Sequence, residues 1–428
     1  MRTSTKIRLL TIASAFASAL AGITARADSL TGRWDATITI NNVVIPFRLD
    51  VSGAGSNLRG TLFNGDEKET TTSALVDHRT VVLKFDHYLT TIVATLKDGQ
   101  LDGKVDGRFG DRQVYIGSYA FHASRHTSAS LPASPGQSTA GVPTIGGSWE
   151  IPHESSKGEK AWRLVVKQAG PEVSAAILRV DGDTGALTGA WRDDRFVLSH
   201  FDGSRPALME ITQERDGTLV IRQFTGIRDD RFVAYRPEVA RAKGLPAPAN
   251  YTTHTSMRDP NEVFTFSFPD INGKIVSNDD PRFKGKVLLA IVTGTWCPNC
   301  HDEAQYLVQL YKQYRERGLE IVALDFEEPE QRDELARARA FVKRYGIEYT
   351  YLIAGAPSEL SEKVPQAVNL NTWPATFFVG RDGKVKGIHA GFAAPASGDF
   401  NRQLKEEFAS TIERLLGQPS RTSHPPLE

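Results

Sequence analysis

A chain of 428 residues exceeds one typical domain and implies two or three. Its 51 Lys and Arg balance 51 Asp and Glu, so no bulk charge points to a nucleic acid or an anionic membrane as partner. With 40% hydrophobic and 24% charged residues, the composition is that of a soluble globular protein and argues against long disorder.

The first element is a leader, expected over residues 1–27. Arg2, Lys6 and Arg8 make a basic start, Leu9 to Ile23 is apolar, and Ala25-Arg26-Ala27 supplies a cleavage pattern. This is the layout of a secretory signal peptide, with an uncleaved N-terminal membrane anchor as the alternative. No cysteine lies near the cut, which excludes a lipid anchor there. The mature chain is therefore expected in the periplasm or secreted.

Residues 28–123 read as a first all-β unit. Every second residue of Trp34–Ile40 is apolar, and the alternation resumes after Asn41-Asn42 at Val43, Ile45, Phe47, Leu49 and Val51. Val81–Phe85, Ile92–Leu96 and Val114–Phe121 are further strands, with Asn64-Gly65 and Asp98-Gly99 as turns. Residues 124–145, rich in Ser, Thr and Pro, form a linker. A second β unit follows over 146–245. Gly32-x-Trp34 returns as Gly147-x-Trp149, Arg48-Leu49 as Arg163-Leu164 and Val82-Leu83 as Val197-Leu198, all at an offset of 115. Asp98-Gly99 returns as Asp216-Gly217, and Gly107…Asp111-Arg112-x-Val114 as Gly226…Asp230-Arg231-x-Val233. The expectation is an internal duplication of a β-sandwich or β-barrel.

Residues 246–418 change character. Val287–Val292 and Leu319–Leu324 are continuous apolar runs, as in strands buried on both faces. Ala304, Leu307, Val308 and Tyr311 repeat at helical spacing, and Gly318 ends that helix. Glu334–Tyr345 is helical, Tyr349–Ile353 and Ala375–Val379 are strands, Lys384–His389 pairs across Asp382-Gly383, and Phe400–Leu416 is a final helix. Strands alternating with helices imply an α/β domain. Residues 419–428 are expected to be a flexible tail.

Cys297 and Cys300 are the only cysteines, which excludes a disulfide framework tying distant segments together. The motif Thr295-Trp296-Cys297-Pro298-Asn299-Cys300 lies between a buried strand and a helix. Disulfide exchange needs one accessible thiolate and a second thiol to release the mixed disulfide. Cys297 falls at the helix start, where unpaired N–H groups and the helix dipole favour negative charge. Cys300 follows one turn on, and Trp296 shields one side of the pair.

From about Val263 to Leu416 the sequence resembles the TlpA/ResA-like branch of the thioredoxin superfamily. The matching residues are Phe266-Ser267-Phe268-Pro269-Asp270-x-Asn272-Gly273-Lys274, Lys284-Gly285-Lys286-Val287 and Trp296-Cys297-Pro298-Asn299-Cys300, followed by Trp373-Pro374-Ala375-Thr376-Phe377-Phe378 and Asp382-Gly383-Lys384. The resemblance implies a thioredoxin fold, Cys297 as nucleophile, Cys300 as resolving thiol and Pro374 as a cis-proline facing the pair. It gives Trp296, Pro298, Trp373 and Pro374 as residues that meet substrate. Ile291 stands where thioredoxins proper carry a buried aspartate, whereas Glu303 matches a glutamate of this branch. At i, i+3 from Cys300 it shares a helix face and is positioned to accept that thiol's proton, the alternative being a solvated first-turn Glu. The implied activity is an exported thiol–disulfide oxidoreductase that reduces protein disulfides. It would use no cofactor beyond its own redox-active pair and would draw electrons from a membrane or periplasmic donor. The β units, foreign to that branch, would dock a protein partner.

Two rival chemistries stay open. Cys297-Pro298-Asn299-Cys300-His301 satisfies C-x-x-C-H, the attachment pattern of c-type haem. A thiol-dependent peroxidase is the other, although Gly294 stands where peroxiredoxin-like proteins carry threonine. Zinc would need two more ligands, and there is no second cysteine pair.

Overall fold

Alternation along Gly32–Ile40 buries Trp34, Ala36, Ile38 and Ile40 and leaves the residues between them half-buried, the mark of a strand with one face in a core. Asn41 and Asn42 then adopt φ of 48° and 66°, a left-handed pair that returns the chain into Val43–Ser52 as a tight hairpin. The computed structural model describes residues 30–109, 115–127, 141–226, 228–331 and 334–417. The leader, most of the 124–145 linker and the tail lie outside the described residues.

Among those residues the first β unit is one nine-stranded sheet running from Gly32–Ile40 to Tyr115–Arg125. Strands adjacent in sequence pair antiparallel except across Thr71-Thr72, and the last pairs back onto the first. The second unit repeats this meander from Gly147–Pro152 to Asp229–Ala234. Its ends meet through reciprocal main-chain bonds of 2.8 and 2.9 Å between Glu150 and Tyr235. Both are single sheets: the second nearly closes on itself, and the first stays open between Glu67–Thr70 and Ser73–Asp77.

The two units share a local device. Trp34 Nε1 donates to the Leu30 carbonyl at 2.9 Å, and Trp149 Nε1 to that of Ile145 at 2.8 Å. Arg125 lies 4.2 Å over the first indole and Arg236 3.8 Å over the second. Gly32 and Gly147 both adopt positive φ, and a Cβ on either would meet that arginine within 3 Å. Arg236 thus answers to Arg125, at the end of the last strand. Of the matched stretches Gly107…Val114 and Gly226…Val233, the second ends inside the last strand, Asp229–Ala234. Residues 110–114 of the matched stretch lie outside the described residues.

The C-terminal domain has a five-stranded sheet in the order Thr350–Gly355, Leu319–Phe326, Val287–Thr293, Ala375–Val379, Val385–Ala390. The first three strands are parallel and the last two antiparallel. Val287–Thr293 is buried along its whole length because helices and the cysteine segment cover opposite faces. Pro298–Tyr314 is the active-site helix, Ala336–Tyr345 ends on left-handed Gly346, and Asp399–Leu416 closes the fold. A helix over Pro237–Ala242 leads out of the second unit.

The units are not strung on free linkers. Phe201 of the second is fully buried in the core of the first, its ring 4.9 Å from Phe47. Asn64 exchanges bonds of 3.1 and 2.9 Å with the Phe201 main chain. Leu178 of the second unit joins the core of the C-terminal domain.

Candidate active site

Proline at the first helical position cannot donate to the preceding turn, so the chain enters the helix Pro298–Tyr314 with Cys297 as its N-cap. Cys300 sits one turn inside. Both are free thiols, Cys297 at 5% exposure and Cys300 at 1%. The Cys297 thiol donates to the Trp373 carbonyl at 3.4 Å, and the Trp373–Pro374 peptide is cis. Trp296 and Trp373 meet edge to face at 5.2 Å, and with Pro298 they line the cleft above Cys297. Cys297, Cys300, Trp296, Pro298, Trp373 and Pro374 thus converge on one place.

Burial, reinforced by the Cys297 thiol, pushes the Cys300 thiol well above its ordinary range, against the opposing hydrogen bond of Thr293. Glu303 is 1% exposed and accepts a 2.6 Å bond from the Thr376 hydroxyl. Burial raises its carboxyl to about 8, and its charge, when present, raises Cys300 further. A solvated first-turn glutamate does not describe this residue.

The loop before Cys297 is fastened by groups that sequence reading missed. Trp296 Nε1 donates to the Phe326 carbonyl at 2.9 Å. Arg337, 1% exposed, donates 2.8 Å bonds to Thr295 Oγ1, Glu327 and Glu328, while the Thr295 N–H and hydroxyl donate to Glu327. Such buried pairs add little net stability but hold one geometry when every member is satisfied. Nothing marks Arg337 in a helix whose neighbours include Arg339 and Arg344.

The second omission is larger. Residues within and just after the motif touch the β units. Asn299 donates a 2.9 Å bond to the Asp181 carbonyl of the second unit, and Arg205 of that unit reaches Asp302 at 3.7 Å. His301 packs on Tyr88 of the first unit at 4.4 Å. Burial holds the His301 imidazole well below its ordinary pKa. As the neutral ring, it donates from Nε2 to the Thr295 carbonyl at 2.8 Å and accepts at Nδ1 from Tyr345 at 2.9 Å. Both nitrogens being engaged, His301 does not fit the axial ligand that the haem reading requires.

A family model described as AhpC/TSA family matches residues 261–388, which leaves both β units outside its span. The thiol-disulfide oxidoreductase ResA of Bacillus anthracis is 31% identical over 129 residues, 30% of this chain and 68% of that protein. The ResA of Bacillus thuringiensis subsp. konkukian is 30% identical over 135 residues, 32% of this chain and 71% of that protein. The chain belongs to the ResA family. Its C-terminal domain is of the thioredoxin superfamily, and the protein is a thiol–disulfide oxidoreductase. Among solved structures, a thioredoxin-family thiol:disulfide interchange protein from Chlorobium tepidum TLS is 24% identical, covering 38% of this chain and 100% of its own (TM-score 0.28). A secreted Mycobacterium tuberculosis disulfide oxidoreductase homologous to E. coli DsbE is 20% identical, covering 35% and 96% (TM-score 0.27).

Proposed function

We propose that this ResA-family protein is exported and reduces protein disulfides through Cys297 as nucleophile and Cys300 as resolving thiol. The observation that carries the reading is the asymmetry of the pair: Cys297 caps the helix at the cleft while Cys300 lies buried beneath it. Trp296, Pro298, Trp373 and Pro374 hold the substrate disulfide against Cys297, and Glu303 takes the proton of Cys300. No other cofactor is needed, since the dithiol itself carries the two electrons; a membrane or periplasmic thiol donor restores them. Residues 1–27 act as a cleaved signal peptide. Among the described residues no helix is long and apolar enough to cross a membrane. The β units 28–123 and 146–245 are copies of one ancestral unit, a reading supported by the shared Trp–Arg device, and they dock partners beside the redox domain at 246–418.

The reduction potential of the Cys297–Cys300 couple, equilibrated against glutathione and dithiothreitol, tests the direction. A reductant should lie at about −200 mV or lower, and a value near about −120 mV would make the protein an oxidant instead.

The AhpC/TSA match favours a second reading, a thiol peroxidase. Gly294 stands three residues before Cys297, in place of the threonine of peroxiredoxin-like proteins. Hydrogen peroxide consumption by the reduced protein is accordingly expected not to exceed that of free dithiothreitol. Turnover that requires Cys297 would establish the peroxidase.

A further inference from the structure

We propose that the cleft over Cys297 gives the enzyme a second substrate class, low-molecular-weight disulfides bearing carboxylates, and this rests on the Cys297/Cys300 chemistry proposed above. The second β unit roofs the site. Its turn at Asp181-Gly182 bonds Asn299, which lies between the two cysteines, and Gly182 pairs with Phe392 as a parallel bridge. On another side Asn371 Nδ2 reaches the Lys157 carbonyl at 3.4 Å. What remains open is a cleft of about 140 Å³, room for about five waters at the roughly 30 Å³ each takes in the liquid. That admits a disulfide and the few atoms flanking it. The roof narrows the approach of a folded protein's surface to Cys297.

The roof is also charged. Lys157, Arg179, Arg205 and Arg228 line the cleft against Asp181 and Asp183. Lys157 pairs with Asp181, and Arg205 is held from behind by Asp202 and Asp302. Arg228 stands at the rim, its side chain 53% exposed and 3.7 Å from Asp230. Among the residues that line the cleft cations outnumber carboxylates four to two, and between low-dielectric walls such a lining concentrates anions.

The Cys297 thiolate attacks one sulfur of R–S–S–R, forming Cys297–S–S–R and expelling one thiolate. The Cys300 thiolate then attacks Cys297 Sγ and expels the second. Two electrons pass from the dithiol to the small disulfide, and the two thiol protons end on the released thiolates. A dithiol donor such as dithiothreitol resets the pair.

The test uses the pre-reduced full-length protein with glutathione disulfide, neutral hydroxyethyl disulfide, cationic cystamine and insulin. Each rate is divided by that of free dithiothreitol with the same disulfide. At low salt glutathione disulfide should exceed cystamine by about tenfold, a gap that added salt closes. Arg228→Glu should shrink the gap several-fold. Gly182→Val should open the roof, because a Cβ there would lie 2.5 Å from the Phe392 carbonyl oxygen and 2.8 Å from the Asn299 side chain. Its insulin rate should rise while the charge preference falls. Equal normalised rates for glutathione disulfide and cystamine in the wild-type protein, or insulin reduced as fast as either, overturn the proposal. Failure to exchange with any disulfide would instead sink the Cys297/Cys300 reading.

Discussion

Cys297→Ser abolishes disulfide reduction, and Cys300→Ser converts the protein into a trap that accumulates mixed disulfides with substrate: these are the results expected. Only Cys297 lines the cleft, whereas Cys300 is 1% exposed and its ionisation is opposed by burial. A serine at 297 leaves no thiolate within reach of a substrate sulfur. A serine at 300 leaves the attack intact and removes the thiol that displaces the substrate, so the intermediate persists. Mass spectrometry of each variant after incubation with a protein disulfide reads the adduct directly. Adducts on Cys300 in the Cys297→Ser protein would reverse the two roles.

The elements legible in the sequence are those whose signal is local. The alternation of Trp34–Ile40, the apolar run Val287–Val292 and the glycine stop at Gly318 each reflect one segment's burial or one residue's backbone, and each is found where expected. Gln100–Phe109 was not read as a strand because Gly103 and Gly107 interrupt its alternation. Gly103 lacks a side chain for a structural reason: a Cβ there would fall 2.0 Å from the Val93 carbonyl oxygen of the paired strand. The redox motif was legible because its chemistry needs two cysteines at fixed spacing before a helix. The roof was not. Asp181, Arg205 and Tyr88 lie roughly a hundred residues or more from Cys297 and carry no pattern of their own; a main-chain carbonyl such as that of Asp181 leaves no mark in a sequence at all. Asn299, His301 and Asp302 look like ordinary first-turn polar residues, yet each is a contact to a β unit. The β units thus contact the redox site directly.

Glu303→Gln should lengthen the life of the mixed disulfide by about a hundredfold, the lower end of the usual worth of a lost proton acceptor. Cys300 must ionise to release substrate, and burial holds its proton. Glu303, raised to about 8 by burial, trades protons near neutrality and lies on the same helix face. Glutamine keeps the shape and the acceptor for the Thr376 hydroxyl but cannot take the proton. The carboxylate is the form that accepts a proton, so the gap between variant and wild type should widen from pH 6 towards about pH 8 as Glu303 ionises. Stability supplies an independent readout. Folded Glu303 keeps its proton to about pH 8, whereas the unfolded carboxyl releases it near its ordinary value of 4.5. The unfolded state therefore binds fewer protons between those values, and this residue's contribution to stability, fully present below pH 4.5, is lost as pH rises to about 8. Glutamine has no proton to lose. The melting temperature of Glu303→Gln should gain on the wild type steadily from pH 5 to pH 8 and hold its lead above that. Rapid-quench lifetimes and thermal melts across pH 6 to 9 check both curves. Equal lifetimes and a constant difference in melting temperature would leave Glu303 a spectator to the exchange.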